Sequence, residues 1–164
     1  MRILVAVDGT DISRKAFQFM LNVIKPNDEV ILLAVAEETQ TYMSGPFDPI
    51  NITALNEINE NIRNYMLSEV KARGRELGER GIKHSCFLGK GTAKDTICEE
   101  ALTHKVDLII LGRRESSGIR RVIHESHSTY VLHHAHCDVL IVKEEFEAHS
   151  DKREEAERIQ VSDE

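Results

Sequence analysis

The groups best placed for chemistry lie between Asp107 and Lys143, in the run DLIILGRRESSGIRRVIHESHSTYVLHHAHCDVLIVK. An apolar strand ends at Leu111-Gly112 and opens into a basic loop bearing Arg113, Arg114, Arg120 and Arg121, with a helix beyond it. α/β sheets hold anionic ligands at such strand ends, because backbone N–H groups and a helix N-terminus converge there. Ser116, Ser117 and Gly118, with Arg113 or Arg114, supply the donors for an anion pocket. Paired with Glu115 and Glu125, the same arginines make a solvated loop face instead. Asp8, which cuts short the first apolar run, shapes the turn ahead of Ser13.

Metal binding and catalysis are weakly served by these residues. His133, His134 and His136, with His124 and His127 nearby, suggest a metal site. Yet His133 and His134 point in different directions on a helix and Cys137 opens a strand, so no three- or four-ligand geometry emerges and no metal is expected. Phosphoryl transfer needs a positioned water, a base and usually a metal, and no Walker-type lysine precedes a serine or threonine. No nucleophile elbow is present either, so no catalytic residue is assigned and the chain is not expected to be an enzyme.

The elements that must position these groups follow from hydrophobic patterning. Ile3 to Val7 is a continuous apolar run, as in a strand covered on both faces. Ser13 is expected to cap a helix with Ala16, Phe17, Met20, Leu21 and Ile24 inward, stopped at Pro26. Val30 to Val35 is a second strand, and a loop of about twenty residues follows, longer than ordinary connections. A helix from Ala54 to Arg80 is expected to bury Leu55, Ile58, Ile62, Met66, Val70 and Leu77. A strand over Ile82 to Leu88, a turn at Gly89-Lys90-Gly91 and a helix over Ala93 to His104, with Ile97, Ala101 and Leu102 inward, come next. Strands over Val106 to Leu111 and Val139 to Val142 flank a helix over Ser126 to His134. Strands alternating with helices and joined by right-handed crossovers give a doubly wound parallel sheet.

The charge of −7 is unevenly spread. Residues 144–164 hold nine acidic and three basic side chains, and residues 1–143 nineteen and eighteen. One α/β domain over 1–143 and an acidic tail over 144–164, helical or disordered, are therefore expected. The near-neutral domain offers nucleic acid no general attraction. No apolar stretch reaches membrane-spanning length and no signal peptide is visible, and Cys86, Cys98 and Cys137 lack metal-type spacing, so a cytoplasmic protein with reduced, mostly packed thiols is expected.

Several of these pieces, in their order and spacing, resemble the universal stress protein family over nearly all of residues 1–143. They are VAVD closing the first strand, LLAV in the second, the glycine register near Gly91, Leu111-Gly112, and YVLHHAHCDVLIVK at the end. The resemblance implies an adenine nucleotide alpha hydrolase-like fold, a five-stranded parallel sheet in the order 3-2-1-4-5, and a homodimer made through the last strand. Many members bind ATP. By the same resemblance Asp8, with Val7 before it, matches the acidic residue at the ribose end, and Val35 and Leu111 match walls of the adenine site. Gly112 matches the first glycine of the phosphate motif, which Arg113 and Arg114 flank, and Ser126 matches its hydroxyl. Glu115 and Glu125 stand where that motif has glycines.

Glycines let backbone N–H groups wrap a phosphate, whereas glutamate adds bulk and negative charge. The expectation is a non-catalytic stress-response or signalling module with a degenerate nucleotide cleft, ATP binding weakened or lost, and no obligatory cofactor. The alternative is a switch that keeps ATP or AMP near Asp8, Val35 and Gly112. Val139 to Val142 is too apolar to lie bare at a sheet edge, so the same strand of a second copy is expected to cover it, the other possible cover being the acidic tail. No protein partner is named by the sequence.

Overall fold

A computed structural model describes residues 1–39, 52–113 and 126–143. Nine elements alternate among the described residues. They are β1 (Arg2–Ala6), α1 (Asp11–Val23), β2 (Glu29–Ala36), α2 (Ile52–Glu79), β3 (His84–Lys90), α3 (Ala93–Thr103), β4 (Leu108–Arg113), α4 (His127–His134) and β5 (Asp138–Lys143). All strand pairs are parallel and the sheet order is β3-β2-β1-β4-β5, as expected.

Period-two alternation divides the apolar strands between two cores. Ile3, Val5 and Val7 of the first strand region, with Val30 and Leu32, face Ala16, Phe17 and Met20 of α1 and Val70 and Leu77 of α2. Leu4, Ile31, Leu33 and Val35 face Ile97 and Ala101 of α3 and Val131 of α4. The helices thus cover both faces, and the loops at the carboxyl ends of the strands are free to build a site.

Several local expectations are corrected. Thr10, not Ser13, is the N-cap of α1; its hydroxyl accepts from Ser13 N–H at 3.3 Å, which places Ser13 inside the first turn. Gly89 and Lys90 remain in β3, paired in register with Val35 and Ala36, so the turn is left to Gly91 at φ 116°. α2 runs 28 residues and outreaches the sheet, so Ile58 is 49% exposed while Val70 and Leu77 are fully buried. Leu102, expected inward, is 62% exposed. Cys86 is also exposed, while Cys98 and Cys137 are half-buried, and all three thiols are free. The long loop over 40–51, the segment 114–125 and the tail over 144–164 lie outside the described residues. No helix among the described residues is long and apolar enough to cross a membrane.

Candidate functional site

From β1 the chain winds outward to β2 and β3, then returns to β4 on the other side of β1. Open α/β sheets bind ligands in a crevice at such a reversal of strand order, at the carboxyl ends of the strands. Asp8, Val35 and Gly112 stand at the ends of three adjacent strands and are therefore brought to one edge.

The β1 side is held by a compact hydrogen-bonded turn. Asp8 Oδ1 accepts from Thr10 N–H at 2.9 Å and from the Thr10 hydroxyl at 2.6 Å, and Asp8 N–H donates to Ser13 Oγ at 3.1 Å. Gly9 takes φ 77°, and a Cβ there would run into the phenol of Tyr65 from α2. Asp8 thus shapes the start of α1, a structural role that stands whatever binds.

Val7 makes the last bond from the first strand region to β2, its N–H donating to the Leu33 carbonyl at 2.9 Å. Strand alternation turns the N–H and C=O of Val35, two residues on, toward the same side. β1 pairs with β2 only as far as Ala6 and Leu33, so this edge of Val35 faces the crevice rather than a strand. A donor and an acceptor side by side on a main chain match the acceptor and amino donor on one edge of adenine. The Val35 side chain itself is buried among the residues facing α3 and α4.

On the β4 side Leu111 is buried, and Gly112 is pressed against α1. A Cβ on Gly112 would stand 2.7 Å from the Ile12 carbonyl oxygen and 2.8 Å from its carbon. Glycine is therefore required here by helix–strand packing alone. Arg113 ends β4, half-buried and in register with Lys143. Arg114, Glu115 and Glu125 lie outside the described residues. Ser126 is the N-cap of α4: its hydroxyl accepts from Thr129 N–H at 3.2 Å and lies 2.8 Å from Thr129 Oγ1. That capping role was not anticipated from the phosphate motif.

Two further groups at this edge escaped the sequence reading. Glu37, just past β2, accepts from Ala93 N–H at the start of α3, and its Oε1 lies 4.0 Å from His127 Nε2. An acidic residue directly after an apolar strand was the available signal for Glu37; nothing in the sequence pointed to Tyr65. His124 lies outside the described residues, and among those described no three metal-ligating side chains are grouped. Burial, and then the carboxylates of Asp95 and Glu99, push the Cys98 thiol above its ordinary pKa, and burial followed by Asp138 and Asp107 does the same for Cys137. Neither is an activated nucleophile.

Residues 1–143 match the Universal stress protein family. The chain belongs to that family. It is 26% identical over 142 residues to a universal stress protein of Methanocaldococcus jannaschii, covering 87% of this chain and 81% of that one. The fold is similar to that of the universal stress protein UspA from Lactobacillus plantarum, with a TM-score of 0.68, 24% identity, and 87% and 97% of the two chains covered. It is also similar to a family member from Arabidopsis thaliana with AMP bound, at a TM-score of 0.60 and 21% identity over 88% of this chain and 92% of that one. As a universal stress protein, the chain has the nucleotide hydrolase-like α/β fold of this group.

Proposed function

We propose that this universal stress protein is a non-catalytic stress-response or signalling module whose cleft accepts the nucleoside part of an adenine nucleotide and holds a triphosphate poorly. The observation that carries the reading is the main-chain edge of Val35, turned into the crevice beside Asp8 where β1 has ended. Leu111 is the further apolar wall, and the AMP-bound family member from Arabidopsis supports the choice of ligand. The hydroxyl–carboxylate pairs at Thr10–Asp8 and Thr92–Asp95 serve helix starts, and burial raises the pKa of the two half-buried thiols, which supports binding rather than turnover.

The phosphate end is read from the sequence. Glu115 and Glu125 stand in place of the motif's glycines, beside Arg113 and Arg114. Two like charges about 4 Å apart repel by about 4 kcal/mol near a protein surface, and by about 1 kcal/mol once water and salt intervene. For one close pair that corresponds to roughly five-fold to a thousand-fold in affinity. Calorimetric titration with ATP of the parent protein and of Glu115→Gly/Glu125→Gly tests this. The double variant should bind ATP at least about five-fold more tightly, with adenosine unchanged. Equal ATP affinities would remove the two glutamates as the cause.

The module also acts as a homodimer in this reading. β5 pairs with β4 on one side and is the last strand of the sheet, with Val139 to Val142 half-buried. A second copy of the same strand satisfies the open edge and covers its apolar side chains. Sedimentation of the full chain and of a form ending at Lys143 should give dimers for both. A monomeric full chain whose shortened form dimerises would make the acidic tail the edge cover.

A further inference from the structure

We infer that Glu37 is a positioning residue of the cleft, a strap that fixes the distance between the base wall on β2 and the start of α4. The inference rests on the nucleotide reading above for its ligand, and on three observations for its geometry. Glu37 follows Val35 by two residues, so it stands on the same face of the strand, toward α3 and α4. Its carboxylate accepts from Ala93 N–H, the first residue of α3. The same oxygen lies 4.0 Å from Nε2 of His127, the first residue of α4 and the neighbour of Ser126.

The α3 contact has a local cause. Thr92 holds the N-cap position, but its hydroxyl donates to Asp95 instead of accepting from the helix. The first turn of α3 therefore takes its acceptor from β2. α4 caps itself through Ser126, so the Glu37–His127 pair is not needed for that helix to form. What the pair adds is a contact between a strand end and the first turn of a short, eight-residue helix, an ion pair only when His127 is protonated. The segment carrying Glu37 is itself pinned, with Lys90 Nζ 2.9 Å from Glu38 Oε1 and Thr39 N–H donating to Asn59 Oδ1 at 2.9 Å.

A ligand that touches only the base wall does not sense this distance, whereas one that spans from Val35 to Ser126 does. Adenosine and AMP therefore separate the strap from a general structural role. Calorimetric titration of the parent protein, Glu37→Ala and Glu37→Gln provides the binding comparison, and amide hydrogen exchange on the same ligand-free proteins provides a second readout. Glu37→Ala should weaken AMP about tenfold and adenosine less than about twofold. Glu37→Gln, which keeps an acceptor for Ala93 N–H, should lose less than about threefold for AMP. Exchange in Glu37→Ala should rise in the first turns of both α3 and α4 and stay unchanged in α1. Equal losses for adenosine and AMP, or faster exchange confined to α3, would overturn the strap. A parent protein that binds neither ligand, with the exchange response intact, would remove the nucleotide reading and leave the strap standing.

Discussion

At the proposed nucleoside end of the cleft stand the main chain of Val35 and the Asp8–Ser13 turn, fixed by where β1 stops and α1 starts. At the proposed phosphate end stand Gly112 and Ser126, and that end depends on the residue types within 114–125. The first set is shaped by hydrophobic patterning, so it persists as long as the fold does. The second can change one residue at a time without disturbing either core. A family fold could therefore keep its nucleoside edge while its phosphate grip is altered, and in the function proposed above Glu115 and Glu125 are such alterations.

Gly112 is the residue where the two ends share a structural cause, and its replacement should have the largest effect on stability. Gly112→Ala puts a Cβ against the Ile12 main chain, so α1 or β4 must shift. A loss of about 1–3 kcal/mol is expected, read as a lower urea midpoint at constant slope. Because α1 carries the Asp8–Ser13 turn, adenosine binding should weaken with it. Unchanged stability would mean that packing does not require this glycine.

Asp8→Ala sharpens the comparison from the nucleoside side. It removes the acceptor for Thr10 N–H and the Thr10 hydroxyl, at a cost of about 1 kcal/mol. Adenosine, AMP and ATP should weaken by similar factors, while Asp8→Asn, which keeps an acceptor, should retain most of the stability. A loss confined to ATP would place Asp8 at the phosphate end and break the division.

The smallest effect concerns the wall made by α3 and α4. Hydrogen bonds from Thr92 and then Tyr130 hold the Asp95 carboxyl below its ordinary pKa. With the folded pKa lower than the unfolded one, the unfolded chain binds more protons in between, so stability rises with pH there. The contribution is complete above the ordinary carboxylate value and is lost as pH falls through the lowered one. Tyr130→Phe should lower stability slightly near neutral pH and leave it unchanged below the lowered pKa, so that the loss on acidification becomes shallower. A steeper acid loss in the variant, followed by circular dichroism, would reverse the assignment.

The parallel sheet was legible because the apolar runs at Ile3, Val30 and Leu108 need cover on both faces, while the order of its strands came from the family resemblance. The errors arose where tertiary geometry decides. Thr10, Asp11 and Ser13 are all acceptable caps, and the choice fell to Thr10 because Ser13 Oγ is taken by Asp8 N–H. The stripe on α2 is periodic throughout, but the sheet ends before the helix does, which leaves Ile58 uncovered. At the site, Asp8, Val35 and Gly112 were visible as strand ends. Glu37 was not, since its partners at Ala93 and His127 lie 56 and 90 positions along the chain.

The central claim, a retained nucleoside end beside an impaired phosphate end, is tested most directly by titrating the purified protein with adenosine, AMP and ATP, with and without magnesium. Adenosine and AMP should bind within about tenfold of each other, and ATP at least about five-fold more weakly than AMP. ATP binding more tightly than AMP, or ATP carried through purification, would contradict the account.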